Sequence, residues 1–217
     1  MYFKAVVFDL DGTLLDTLED IAHSANTVLA RRGFPTHSLD DYRYFVGEGV
    51  TTLITRVLPD EKRNDDTIAE CVRAFREEYG RNWNVKTTPY DGVPQMLDEL
   101  ASRHLKLAVL SNKPDDFTKK CVTELLPDWT FEIVLGLHSG IPPKPDPTGA
   151  SQVAEYLSVP PSRILYVGDS GIDMKTAIAA GMFPLGVLWG FRSQEELQDN
   201  GAQALISRPQ EILAVLY

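Results

Sequence analysis

Two aspartates stand two residues apart in FDLDGTLLDT, residues 8–17, directly behind the apolar run Ala5-Val6-Val7. Extended backbone sends residues i and i+2 to the same side, so Asp9 and Asp11 would face each other over a few ångströms. Like charges at that range in a partly desolvated site raise one pKa strongly unless a cation or a proton sits between them. The spacing asks for a third party. A calcium loop does not supply it, because the glycine of D-x-D-G falls at the fourth position and not the sixth, with no glutamate at the twelfth.

Three further polar clusters follow apolar runs or precede helices. The run Leu105 to Leu110 ends in Ser111-Asn112-Lys113, and the run Ile164 to Val167 ends in Gly168-Asp169-Ser170. Between them the loop IPPKPDPT carries Lys144 just ahead of a helix. Each cluster alone has a bland reading: Ser111 or Asp169 as a helix cap, Lys144 as a solvated side chain on a surface loop. Together they offer hard oxygen ligands from Asp9, Asp11, Asp169 and Asp173, and the oxygen-seeking ion that leaves room for a phosphate is Mg2+. Lys144 and the Ser111 hydroxyl add donors for an anion. A cation bridging carboxylates and phosphate oxygens fits phosphoryl transfer.

Positioning these groups falls to the periodic segments. Leu18, Ile21, Ala22, Ala25, Val28 and Leu29 recur at helical spacing, with Asp16 and Glu19 as a cap and Gly33 past the end. Val50 to Leu58 and Ile68 to Tyr79 repeat the pattern, which predicts a small helical bundle. From Asp91 the period alternates: helix 92–102, run 105–110, helix 115–126, run 131–137, helix 148–157, run 164–167, helix 171–180, run 185–189, and a last run near 204–206. Strands alternating with helices of this length predict a mostly parallel sheet covered on both faces. The first strand, 4–8, belongs to that sheet, so the bundle is an insertion behind it. Ligands bind outside the carboxyl ends of such strands, where all four clusters fall.

At 217 residues the chain is long enough for one large domain or a core with an insertion. A formal charge of −10 argues against nucleic acid as a partner and makes any anion site depend on local cations. The N-terminus reads as neither signal peptide nor membrane span, which predicts a cytoplasmic protein; a monomer or homodimer is the expected assembly. Cys71 and Cys121 sit at apolar helical positions without metal-site spacing and read as reduced core residues.

FDLDGT (8–13), LSN (110–112), KPDP (144–147) and VGDSGID (167–173) resemble, in order, the four motifs of the haloacid dehalogenase superfamily. The resemblance implies a Rossmann-like α/β core, residues 1–15 and 86–217, with an α-helical cap domain, 16–85, inserted after the first strand. An aspartate two residues after the first is similar to the phosphatases and phosphomutases and unlike the dehalogenases. Carried over, Asp9 is the nucleophile that forms an aspartyl-phosphate and Asp11 the general acid and base. The Asp9 carboxylate, Asp11 backbone carbonyl and Asp169 ligate Mg2+, with Asp173 in or just behind that shell. Ser111 and Lys144 hold phosphate oxygens, and Thr13, Asn112 and Lys113 belong to the substrate site.

Within the superfamily, FDLDGTLLDTLEDIA, FVGEGVTTLITRVLP (45–59), SNKP (111–114) and WGFRSQEEL (189–197) resemble the group acting on 2-phosphoglycolate. Gly47 and Gly49 would let a cap loop approach the substrate, or would be only a turn between two helices. A second anionic end of the substrate would need Lys113, amides near Gly47 to Gly49, or Arg56. Rival readings are a pyrophosphatase, a nucleotidase or a sugar-phosphate phosphatase on the same scaffold, and, from another class, a non-catalytic regulator binding a small phosphorylated metabolite.

Overall fold

The structure, a computed structural model, describes residues 2–216. Its centre is a six-stranded, wholly parallel sheet of β1 (Ala5–Phe8), β4 (Lys106–Pro114), β5 (Ile133–Leu137), β6 (Ile164–Gly168), β7 (Phe183–Val187) and β8 (Ala204–Ile206). The strand order is β5-β4-β1-β6-β7-β8, so β1 sits in the middle with β4 and β6 on either side. That order reverses direction at β1, and the crevice at such a switch point is where parallel sheets bind ligands.

β1 is buried on both faces because its alternate residues pack different layers. Val6 and Phe8 join one core with Leu97 and Leu100 of α5 (Val93–Ser102) and Cys121 of α6 (Asp115–Leu125). Ala5 and Val7 join the other with Val153 and Leu157 of α7 (Thr148–Leu157) and Ala177 of α8 (Gly171–Ala179). Two short helices, α9 (Gln194–Asp199) and α10 (Ile212–Val215), complete the sheet's flank.

Four helices leave and rejoin this core between two short antiparallel strands, β2 (Leu15–Asp16) and β3 (Thr88–Pro89). They are α1 (Leu18–Arg31), α2 (Leu39–Phe45), α3 (Val50–Val57) and α4 (Asp65–Asn82). α1 packs its stripe of Ile21, Ala25, Val28 and Leu29 inward and ends at Gly33, whose φ of +70° is costly for any other residue. α4 is capped by Asn64, which accepts from Thr67 N, and buries Cys71, Phe75 and Tyr79. The buried Asp20 carboxylate accepts from Lys86 N and Thr87 N, pinning the chain that returns from α4 to the start of α1. Among the described residues no helix is long and apolar enough to cross a membrane.

Several boundaries differ from the sequence pattern. β7 begins at Phe183 and ends at Val187, so Trp189 leaves the sheet for the loop above the site, where its indole N–H donates to Thr13 O at 3.0 Å. β4 runs to Pro114 with an irregularity after Leu110, which carries Ser111, Asn112 and Lys113 outward as one strip. The predicted cap at Asp16 and Glu19 is replaced by Thr17, which makes no side-chain capping bond. α2 had no apolar periodicity to reveal it, since it buries Tyr42 alone and depends on the Ser38–Asp41 capping box.

Candidate active site

Asp9 follows β1 directly, and its Oδ1 lies 3.0 Å from Lys144 Nζ and 2.7 Å from the Leu10 amide. Lys144 reaches this point from the loop before α7 and donates to Asp173 Oδ1 at 2.7 Å and to Leu110 O at 3.2 Å. It is 5% exposed, so the surface-loop reading fails: the loop folds inward because two buried carboxylates hold its ammonium. Burial works against that charge, yet Asp173 and Asp9 together hold the Lys144 pKa well above its usual value.

Asp173 is fixed on its other side. Its Oδ2 accepts from Ser170 Oγ at 2.6 Å and Ser170 N at 3.1 Å, a capping box that starts α8 at the end of β6. Gly168 must be a glycine here, because a Cβ would stand 2.3 Å from Asp173 Cβ. Asp169 Oδ2 accepts from Phe191 N at 2.7 Å and Oδ1 from Thr13 Oγ1 at 3.3 Å. Thr13, expected at the substrate, thus spends its buried hydroxyl on aiming Asp169.

The carboxylates of Asp9, Asp169 and Asp173 each offer an oxygen within 4.8 Å of the others, all buried. Lys144 partners two of them, while among the described residues Asp169 forms no ion pair. Burial, then the charge of Asp173, pushes the Asp9 carboxyl up to about 7, and burial with Asp173 and Asp9 raises Asp169 well above the carboxylate range. Three hard oxygen donors carrying more negative charge than one lysine offsets are a fit for a divalent cation such as Mg2+. Asp9 and Asp169 are the residues with charge to give it: Asp169 is held by neutral donors alone, Asp9 shares Lys144 through one oxygen, and Asp173 is tied to Lys144 by one oxygen and to Ser170 by the other.

Asp11 engages a different cation from Asp9. β1 ends at Phe8, and the turn at Gly12, with φ +86°, takes Asp11 to Lys113 Nζ at 2.9 Å. The same ammonium donates to Tyr79 Oη of α4 at 2.8 Å and lies 4.7 Å from that ring's centre. Burial opposes the Lys113 charge, and Asp11 and Tyr79 outweigh it, raising its pKa. Each aspartate therefore has its own lysine. Asn112 is a brace: its amide donates to Gly47 O at 3.0 Å and Lys144 O at 3.1 Å while accepting from Lys144 N at 2.8 Å.

A cavity of about 60 Å³ opens above these groups, lined from the core by Asp9, Asp11, Ser111, Asn112, Lys113 and Asp169, and from the helical insertion by Gly47, Gly49, Phe75, Arg76 and Tyr79. A water needs roughly 10–15 Å³ on this measure, so the space takes about four to six small groups. Arg56 is not on its wall. That guanidinium turns back onto Glu48 and the carbonyls of Tyr44 and Phe45, 3.3 Å from each, so it stiffens the loop before α3 and does not face the site. The cations that do line the cavity, besides Lys113, are Arg76 and Arg192. Sequence reading passed over both; Arg192 lay in the quoted string WGFRSQEEL, and Arg76 follows the apolar Phe75 of α4 with nothing in its spacing to separate it from a solvated face.

The loop carrying Arg192 ties the two parts together. Its Nη2 donates to Val46 O at 3.0 Å, Arg43 Nη1 donates to Gly190 O at 3.3 Å, and Gly190 packs so closely that a Cβ would fall 2.3 Å from Asp169 Cβ.

A parallel sheet whose switch point holds two aspartates, each on a separate lysine, beside a buried cluster of carboxylates under a helical insertion, is the arrangement of an α/β hydrolase with a carboxylate-centred site. Residues 6–187 match the model of the haloacid dehalogenase-like hydrolases, and the chain belongs to that family. It is 32% identical over 213 residues to a phosphoglycolate phosphatase of Aquifex aeolicus, covering 98% of this chain and 96% of the relative. A phosphoglycolate phosphatase of Thiobacillus denitrificans is also 32% identical, over 94% of this chain and 91% of its own. A crystal structure from Lactobacillus delbrueckii subsp. bulgaricus, 31% identical, superposes with a TM-score of 0.94 over 100% of this chain and 99% of that one.

Proposed function

We propose that the protein is a Mg2+-dependent phosphomonoesterase acting on 2-phosphoglycolate or a similar small phosphorylated metabolite, through an aspartyl-phosphate on Asp9. The observation that carries this reading is the separation of the two aspartates: Asp9 on Lys144 at 3.0 Å, Asp11 on Lys113 at 2.9 Å. Nucleophile and acid need opposite protonation states, and two separate cationic settings allow them.

An Asp9 oxygen attacks phosphorus, forming the acyl-phosphate bond as the ester P–O bond breaks, and the departing alkoxide takes the proton of Asp11. Asp11, now a carboxylate, accepts a proton from water as that water attacks phosphorus, which releases inorganic phosphate and restores Asp9. Ser111, which lines the cavity, and Lys144 hold phosphate oxygens where charge gathers. Bound at Asp9 and Asp169, Mg2+ would supply the positive charge that lets a phosphate dianion approach a carboxylate. The small cavity and the closing loops favour a substrate that is wholly enclosed, with bulk water kept out.

The names of the relatives support 2-phosphoglycolate as the substrate. The test compares kcat/KM for 2-phosphoglycolate, pyrophosphate, nucleoside monophosphates and sugar phosphates, with and without Mg2+. 2-Phosphoglycolate is expected to lead, and a tenfold preference for any other overturns the substrate while leaving the mechanism. Full turnover after thorough chelation overturns the metal dependence.

A further inference from the structure

We propose that Arg76 is the residue that selects a second anionic group on the substrate, a carboxylate carried by a small phosphomonoester. The inference rests on the phosphatase reading and adds the group that reads the end of the molecule away from phosphorus.

Beyond the aspartates and donors of its floor, the cavity wall is largely apolar, with Ile21, Val50, Leu53, Phe75 and Phe117 among its residues. Moving a carboxylate from water against such a wall is costly unless a cation meets it. Three cationic side chains among the described residues line the space: Lys113, Arg192 and Arg76. Lys113 is committed to Asp11 and Tyr79. Arg192 pairs with Glu196 at 3.3 Å and donates to the carbonyls of Val46 and Tyr44, which hold it against its own loop, while its Nη1 is buried without a hydrogen-bond partner among the described residues.

Arg76 differs from both. Its Nη2 pairs with Asp116 of α6 at 2.8 Å, at the rim, where the two side chains are 42% and 63% exposed. An exposed pair of this kind contributes little, so it yields readily to a carboxylate in the less polar cavity. Among the described residues the guanidinium has no other hydrogen bond, and it lies 5.8 Å from the centre of the Phe117 ring, a cation–π contact that keeps its fork beside the cavity wall. Arg76 precedes Tyr79 by three residues on α4, so the two share a helix face. Tyr79 touches Lys113 at the floor, which places Arg76 one turn along the same wall from the reacting aspartates. A substrate held by phosphate at the floor then presents its other end to Arg76.

The test uses two esters of equal length, 2-phosphoglycolate and ethyl phosphate, in which a methyl group replaces the carboxylate. Wild type is expected to favour 2-phosphoglycolate, and Arg76→Ala to lower the ratio of the two kcat/KM values by about 30-fold, mostly through KM, as loss of one charge-assisted pair requires. Arg76→Lys, which keeps the charge without the fork, should fall between. An unchanged ratio in Arg76→Ala, or a wild type that does not distinguish the esters, overturns the assignment. Turnover of neither ester by wild type overturns the phosphatase reading beneath it.

Discussion

Lys113 Nζ stands 2.9 Å from Asp11 and 2.8 Å from the hydroxyl of Tyr79, so one ammonium joins an aspartate of the core to a helix of the insertion. Tyr79 stacks on Phe75 with ring centres 5.5 Å apart and meets Phe117 edge-on at 5.2 Å, which gives α4 a fixed seat above the site. Movement of α4 away from the core would remove the tyrosine from Lys113. The position of the insertion and the surroundings of Asp11 are therefore coupled through a single contact.

Lys113→Met keeps the approximate volume and removes the charge beside Asp11. We expect kcat to fall by about two orders of magnitude, the usual cost of removing one preorganised charged group from a reacting site. Circular dichroism should show the fold retained, since methionine fills the same space, while the melting temperature falls because Asp11 loses its buried partner. A rate within threefold of wild type would deny Lys113 any part in the reaction.

Asp9→Asn leaves a side chain of the same shape without a nucleophilic oxygen anion. Turnover and acid-stable phosphoprotein should both vanish, measured with a phosphorus-labelled ester and rapid quench. A phosphoenzyme formed unchanged by this variant would move the nucleophile to another residue.

Lys144→Ala has two consequences, and the second follows from burial. Removing the ammonium leaves Asp9 and Asp173 facing each other in a dry site without their shared partner, and breaking a buried pair typically costs about 3–5 kcal/mol. Turnover should drop by several orders of magnitude and the melting temperature should fall as well. A variant with wild-type stability would mean that the site admits enough water to solvate both carboxylates.

Much of this arrangement was legible in the sequence, for reasons that particular residues make plain. Val6 and Phe8 belong to an apolar run too short for a helix and too continuous for a half-exposed strand, so a buried parallel strand follows. Asp169 and Ser111 follow runs of the same kind, and strand ends collect ligand groups. The burial of Lys144 was hidden because its partners, Asp9 and Asp173, lie 135 and 29 residues away in the chain. Arg56 was misjudged from its place near the glycines, when Glu48, eight residues earlier, claims its charge. The division of the two aspartates between two lysines was equally hidden, since it depends on the turn at Gly12 ending β1 one residue before Asp9.

The excess acidity at the cation site gives a prediction that does not depend on activity. The Asp9 carboxyl is raised from 3.8 to about 7 by burial and by Asp173, and Asp169 is raised in the same direction. The folded protein therefore binds these protons more tightly than the unfolded chain does. The stability they carry is complete below about pH 4 and is lost as the pH rises through 7. A shift of this size corresponds to a loss on the order of 4 kcal/mol over the whole range, or about 8–16 °C in melting temperature for a chain of this length. In the presence of a chelator the melting temperature should fall between pH 5 and pH 8. Mg2+ at this site would bind the ionised carboxylates, so its stabilising increment should be small at pH 5 and large at pH 8, and Asp9→Asn should flatten both profiles. Differential scanning calorimetry at the two pH values, with Mg2+ and with chelator, separates the outcomes. An increment equal at both would mean that the cation binds somewhere other than Asp9 and Asp169.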